Sequence, residues 1–141
     1  ALLTAKKSGA VVLADGVKLN TIAMAGTLAV SRRTIQRSRD SVTRFMRAFV
    51  EAFRYLKSNR EGSIPILQKY MGGINAEQAR FVYDEYVELF DDFPVPREKG
   101  FQAVLDNETD PKAKNFKPAD FVDLSFLNEI DRGQVERIYK R

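Results

Sequence analysis

The chain has 141 residues, of which 44% are hydrophobic and 30% charged, and it contains no cysteine, histidine or tryptophan. This length and apolar content suit one domain, or one piece of a larger protein, with an ordinary buried core. The missing residue types exclude thiolate and imidazole metal sites, a cysteine nucleophile and a Ser-His-Asp catalytic unit. The formal net charge of +4 is modest, so a basic surface has to come from how the charges are distributed.

The first segment of the chain predicts β structure. Residues 9–13 and 21–31 are short apolar runs rich in β-branched side chains, with turn residues such as Gly16 between them. Neither run alternates cleanly between apolar and polar residues, which favours strands buried on both faces, as in a parallel or mixed sheet covered by helices. The longest uncharged stretch, residues 19–31, is too short for a membrane span, which needs about 20 residues.

After Ser31 the hydrophobic period becomes helical. Apolar side chains recur at i, i+3, i+4 and i+7 from Val42 to Leu56, and charged residues occupy the opposite face. Ser38 is suited to cap the start of this long helix, which is predicted to end near Asn59.

Shorter helices are predicted for the rest of the chain. Asn75 and Gln78 stand three residues apart at the start of an apolar helical pattern and predict a capping box. The Phe-Pro-Val-Pro sequence at 93–96 is expected to end that helix, and residues 110–118 to form a polar connector. The other predicted helices run from Ser63 to near Met71, from Arg97 to about Asn107, and over residues 124–131 and 134–139.

Charges are segregated along the chain. Between Arg32 and Arg60 there are nine basic and two acidic residues, which gives +7, whereas residues 76–110 contain three basic and ten acidic residues, which gives −7. These two blocks could attract each other within the fold or serve as separate docking faces, and the sequence leaves both possibilities open.

Four stretches, read in order, carry a more specific pattern than the composition does. They are GTLAVSR at 26–32, DSVTRF at 40–45 with AFVEA at 48–52, SIPIL at 63–67 with Lys69-Tyr70, and KPADFVDL at 117–124. In order and spacing they resemble the C-terminal part of substrate-binding proteins of ABC importers, of the type that binds nitrate, sulfonates, taurine or thiamine precursors. The resemblance extends over nearly the whole chain.

This resemblance implies an α/β fold, namely the C-terminal portion of a two-lobed, periplasmic-binding-protein-like architecture that is mostly helical with a few short strands. Residues 1–20 would be a remnant of the second lobe, with the apolar residues 1–3 ending one of its strands. Residues 21–141 would supply the hinge strand, over 21–31, and the returning helices of the first lobe. The N-terminal half of such a protein is expected to precede this chain.

The resemblance also implies a binding protein rather than an enzyme. A small anionic, sulfonate-type or pyrimidine-precursor-like solute would lie beside Thr4, Ala25, Gly26 and Thr27, without a catalytic residue, metal or cofactor. The expected partners are that solute, the membrane permease of the importer and the missing N-terminal half, in the periplasm or as a lipid-anchored extracellular protein. Tighter binding of solute to the closed lobes would drive closure, and the isolated piece could self-associate through a bare sheet edge.

Other interpretations of the same residues stay open. Gly26 allows a ligand to approach closely and Thr27 supplies a hydroxyl, but both also fit a bulge in an ordinary strand. The arginines between Arg32 and Arg60 fit a small basic helical module that binds nucleic acid. Against this alternative, phenyl rings such as Phe49 lie on the apolar stripe and belong to a core rather than to a base-stacking surface. We therefore expect no nucleic-acid partner.

Overall fold

The computed structural model describes residues 2–15, 19, 27–91 and 93–139, and helices account for 71% of it. No strand is present within these ranges. The predicted α/β fold is therefore wrong, and the described part of the protein is all-helical.

The two predicted strands fail for a common physical reason. Residues 10–13 and 27–31 have no regular structure, and Leu2 and Leu3, the described part of the strand end expected at residues 1–3, belong to the helix Leu2–Lys7. A strand is stable only beside another strand that takes up its backbone hydrogen bonds, and the described residues supply none. The rest of the predicted second strand, residues 21–26, lies outside the described residues.

Seven α-helices and three 3-10 segments make up the described structure. The 3-10 segments are Val87–Leu89, Pro111–Asn115 and Pro118–Asp120. The helices are α1 (Leu2–Lys7), α2 (Arg32–Arg37), α3 (Arg39–Ser58), α4 (Arg60–Tyr70), α5 (Ala76–Tyr86), α6 (Glu98–Asn107) and α7 (Ser125–Tyr139).

The helical predictions that rest on local signals are confirmed. Helix α3 begins directly after Ser38 and ends directly before Asn59. Helix α5 has the predicted capping box, because the Gln78 backbone N–H donates to the Asn75 side chain and the Asn75 backbone N–H donates to the Gln78 side chain, both at 2.9 Å. Helix α6 starts one residue after the predicted Arg97.

Two helix ends differ in an instructive way. Helix α4 begins at Arg60 instead of Ser63, because the Asn59 side chain accepts the Gly62 backbone N–H at 2.8 Å and caps the earlier start. The two predicted C-terminal pieces join in α7 across Asp131, whose backbone is extended. The Asp131 carboxylate accepts the Gln134 backbone N–H at 3.0 Å, so it caps the second piece.

The chain divides into two units, each with its own core, and the division falls within α3. The first unit comprises residues 1–21 and 52–92, and the second comprises residues 22–51 and 93–141. The hydrophobic core of the first unit includes the buried side chains of Ile64, Ala79, Tyr83 and Val87. The core of the second unit includes those of Val50, Phe93, Val95, Leu127, Val135 and Ile138.

Candidate functional site

The four predicted ligand residues differ in how far the structure describes them. Thr4 lies on α1 and Thr27 lies in an irregular segment, and both are exposed. Ala25 and Gly26 lie outside the described residues. Thr4 belongs to the first unit and Thr27 to the second, so each is described on its own.

A hollow of about 360 Å³ lies beside α1, and Thr4 is not one of its lining residues. Its lining combines α1 with the following residues 10–14 and is mostly apolar. Lys6 is the charged side chain in this described lining, and its ammonium group binds Glu85 at 3.3 Å and lies 5.2 Å from the centre of the Phe81 ring. Solute sites combine apolar walls with several convergent polar groups. The hollow therefore offers a ligand apolar contacts. Its charged group, the ammonium of Lys6, is already bound to Glu85.

A second groove, of about 400 Å³, follows one face of α7 and the residue before it. Its charged members, Arg132 and Glu136, are one helical turn apart and form an ion pair at 2.8 Å. The remaining lining residues are Leu124, Asn128, Val135 and Tyr139. Because its two charges compensate each other, this groove has no excess charge with which to attract an ion.

Part of the basic block holds the second unit together. The Arg39 guanidinium binds the Glu129 carboxylate and lies 4.4 Å from the centre of the Phe126 ring. Arg32 donates from Nη2 to the backbone carbonyl oxygen of Asp120 at 3.3 Å. These contacts connect α2 and the start of α3 to residues more than 80 positions later, so both arginines have structural partners.

Other arginines of the block face solvent. Arg44 forms an i, i+4 ion pair with Asp40 at 3.1 Å, and both side chains are highly exposed. Arg33, Arg37 and Arg47 are also exposed and have no side-chain partner among the described residues. Three cations in this part of the chain are thus free to meet an external anion.

In the first unit Arg60 forms a two-pronged pair with Asp84. Its Nε donates to Oδ1 at 2.9 Å and its Nη2 donates to Oδ2 at 2.8 Å. Nη1 donates to Glu61 at 2.8 Å, and the guanidinium lies 5.8 Å from the centre of the Tyr83 ring. Hydrogen bonding to the guanidinium lowers the pKa of Asp84 below its ordinary value of 3.8, and the same carboxylate raises the pKa of Arg60.

In the first unit, the basic block (residues 32–60) and the acidic block (residues 76–110) contact each other. Among the described residues, Arg60–Asp84 at 2.8 Å and Lys57–Glu88 at 3.9 Å are ion pairs that join the basic block to the acidic one. Acidic residues of α5 also bind lysines from outside the basic block. One example is Glu77, which pairs with Lys7 of α1 at 2.7 Å. Attraction within the fold therefore accounts for part of the segregation.

One surface was not expected as a candidate site. The sequence predicts residues 110–118 only as a polar connector, yet Phe116 and Phe121 are 48% and 55% exposed, with ring centres 5.4 Å apart. The same loop carries Lys112, Lys114 and Lys117, all exposed. We call residues 111–121 the aromatic–lysine loop. The signal that could have found it is the density of three lysines and two phenylalanines within ten residues.

Metal and membrane-spanning elements were also sought in the described ranges. Within them no three acidic side chains are grouped as a metal site requires, and no helix is long and apolar enough to cross a bilayer. Comparisons with known protein families, curated proteins and solved structures found no match. The function is therefore argued from the residues of this chain.

Proposed function

We propose that this chain supplies the helical C-terminal part of the substrate-binding component of an ABC importer. The solute would be a small anion, a sulfonate or a pyrimidine-precursor-like molecule, and the permease of the importer would receive it. The proposal rests on the resemblance of the four sequence stretches to such proteins. It is supported by one observation about how these stretches pack.

Three of the four stretches lie wholly or mostly in the second unit, and SIPIL at 63–67 lies in the first. Arg32, which ends the GTLAVSR stretch, donates to the carbonyl oxygen of Asp120 in the KPADFVDL stretch, 88 positions later. Val50 of the AFVEA stretch is buried in the core against which Leu124, the last residue of KPADFVDL, packs. If the stretches belong to one family pattern, contacts of this kind between them are expected.

The exposed apolar segments also support the proposal. Val11 and Leu13 are 79% and 95% exposed, and Leu28 and Val30 are about half exposed. Exposed apolar segments of this kind favour coverage by another part of the protein or by a partner. If the chain belongs to a longer binding protein, the remainder of that protein would provide the cover.

The role of the individual residues follows from their chemistry. Thr27 would donate its hydroxyl to the bound anion, and Gly26 would let the backbone approach it. No arginine precedes Arg32, so the remaining charge recognition would come from backbone N–H groups or from the rest of the protein. Tighter binding to the closed form would then shift the lobes towards closure.

Thermal melting with candidate solutes tests the proposal. The gene product that contains this chain would be melted with nitrate, taurine, an alkyl sulfonate and a thiamine pyrimidine precursor. A solute at 100 times its Kd adds about 2.7 kcal/mol to the free energy of unfolding, which raises Tm by about 5–10 °C in a protein of about 150–250 residues and by less in a larger one. The 141-residue chain alone should not respond, because most of the site would be absent.

A matched pair of variants makes the test specific to the proposed residues. Thr27→Val should reduce the solute-dependent shift, whereas Thr109→Val, an exposed threonine in another part of the chain, should leave it unchanged. If no solute raises Tm, or if both variants reduce the shift equally, the proposal is wrong.

The free arginines favour one alternative, a basic helical module that binds nucleic acid. Arg33, Arg37 and Arg47 could each neutralise a phosphate, which predicts a slope of about −3 for log K against log salt. The triple variant with glutamine at these positions should flatten that slope. Absence of oligonucleotide binding at low salt would exclude this alternative.

A further inference from the structure

The aromatic–lysine loop buries two of its small apolar residues and exposes its two phenylalanines. Ala113 and Pro118 are buried, whereas the rings of Phe116 and Phe121 are about half exposed. Large phenyl rings normally turn inward, since burial removes their apolar surface from water. A loop that buries an alanine and a proline and exposes two phenylalanines presents apolar surface outward.

The loop is held in this conformation by its own hydrogen bonds. The Asp110 carboxylate accepts the Lys112 backbone N–H at 2.9 Å, and the Asp120 carboxylate accepts the Lys117 backbone N–H at 2.7 Å. Each carboxylate therefore caps one of the two 3-10 segments. Arg32 further fixes the carbonyl of Asp120. The exposed rings thus belong to an ordered loop.

The positively charged side chains of the loop are also exposed to solvent. The side chains of Lys112, Lys114 and Lys117 are exposed and have no acidic partner among the residues that the structure describes. Asp110, which precedes the loop, and Asp120 keep their negative charges while they accept these hydrogen bonds, so three basic and two acidic residues give residues 110–121 a net charge of +1. The three lysines lie within four positions of Phe116 in the sequence, and the rings of Phe116 and Phe121 are about half exposed.

We propose that the aromatic–lysine loop docks onto the surface of an anionic lipid bilayer. The rings of Phe116 and Phe121 would enter the boundary between headgroups and acyl chains, and the three lysines would attract anionic headgroups. The exposed apolar area of the two rings fits insertion into a lipid surface, and the assays below distinguish this partner from single-stranded nucleic acid, whose bases would stack on the same rings.

Vesicle cosedimentation tests this surface. The 141-residue chain would be mixed at low salt with vesicles of equal parts phosphatidylglycerol and phosphatidylcholine, and separately with vesicles of phosphatidylcholine alone. Binding should require phosphatidylglycerol and weaken as salt is raised. Replacing all three lysines by glutamine should lower the partition coefficient about 100-fold, since each charge contributes about fivefold.

Two further variants distinguish vesicle binding through the loop from nonspecific adsorption of the chain. Replacing Phe116 and Phe121 by serine should weaken binding about tenfold or more. The control is Lys69→Gln with Tyr70→Ser on α4, where an ammonium group lies 5.2 Å from the centre of a ring that is 76% exposed. This control removes the same chemistry elsewhere and should bind vesicles like the unmodified chain.

Several outcomes would overturn the proposal. They are absence of binding, equal binding to both kinds of vesicle, and equal losses in the loop and control variants. Binding of a fluorescent oligothymidylate at the same salt, lost in the loop variants and tighter than vesicle binding, would assign the loop to nucleic acid instead. If the phenylalanine variant fails to fold, as circular dichroism would reveal, the lysine variant decides, because its side chains make no acidic contact in the described structure.

Discussion

Phe93→Ala is expected to destabilise the second unit strongly. Phe93 is 1% exposed and packs in a core with Val50, Leu127 and Ile138. Removing its ring loses the transfer free energy of the buried carbons and leaves a cavity, which together cost about 3–5 kcal/mol. Small domains are stable by about 5–15 kcal/mol, so the variant should lose about a fifth or more of its free energy of unfolding. At this chain length, Tm should fall by roughly 10–15 °C.

Urea unfolding followed by far-ultraviolet circular dichroism measures the effect, since the 71% helix content gives a strong signal. The midpoint should fall without a change in the slope m. The control is Phe121→Ala, the same substitution in the same unit at a ring that is 55% exposed. It should cost less than about 1 kcal/mol. Equal losses in the two variants would refute the assignment of Phe93 to the core.

Three smaller changes test local contacts. Tyr83→Phe should cost about 1 kcal/mol in urea unfolding, because the hydroxyl donates to the backbone carbonyl of Leu56 at 2.6 Å; no loss would exclude that bond. Asn75→Ala should cost about 1 kcal/mol by removing the cap of α5, and restoration by Asn75→Ser would confirm capping as the cause. The Arg60–Asp84 pair contributes stability that is present above the ordinary aspartate pKa of 3.8 and lost as pH falls below it. Asp84→Asn should therefore show a smaller drop in Tm between pH 5 and about pH 2 than the unmodified chain.

The helices could be predicted because their signals are local. The apolar period from Val42 to Leu56 requires only that one helix face be buried, and α3 buries Val50 on that face. The capping box of α5 lies within four consecutive residues, so the backbone groups that it satisfies were readable from the sequence. The start of α4 was displaced because Asn59 and Ser63 both suit a helix cap, and sequence alone does not rank them.

The candidate surfaces were harder to predict because they depend on distant residues. Whether an arginine is free or bound depends on acids far along the chain, as Arg39 and Glu129 illustrate at a separation of 90 positions. The exposure of Phe116 depends on which residues of its loop turn inward, and Ala113 takes the buried place. Residue types within the loop indicated its chemistry, whereas the fold decided which side chains reach solvent.

The strand-like segments connect the fold to the proposed function. Residues 9–13 and 27–31 are rich in β-branched and apolar side chains, which predicts strands only on the condition that a neighbouring strand is present. The described residues do not meet that condition, and the exposure of Leu13 is the consequence. Under the proposed function, another segment of the longer protein would cover this apolar surface. Thr27, which is exposed in the described structure, would then be available to a solute only if that segment leaves its hydroxyl accessible.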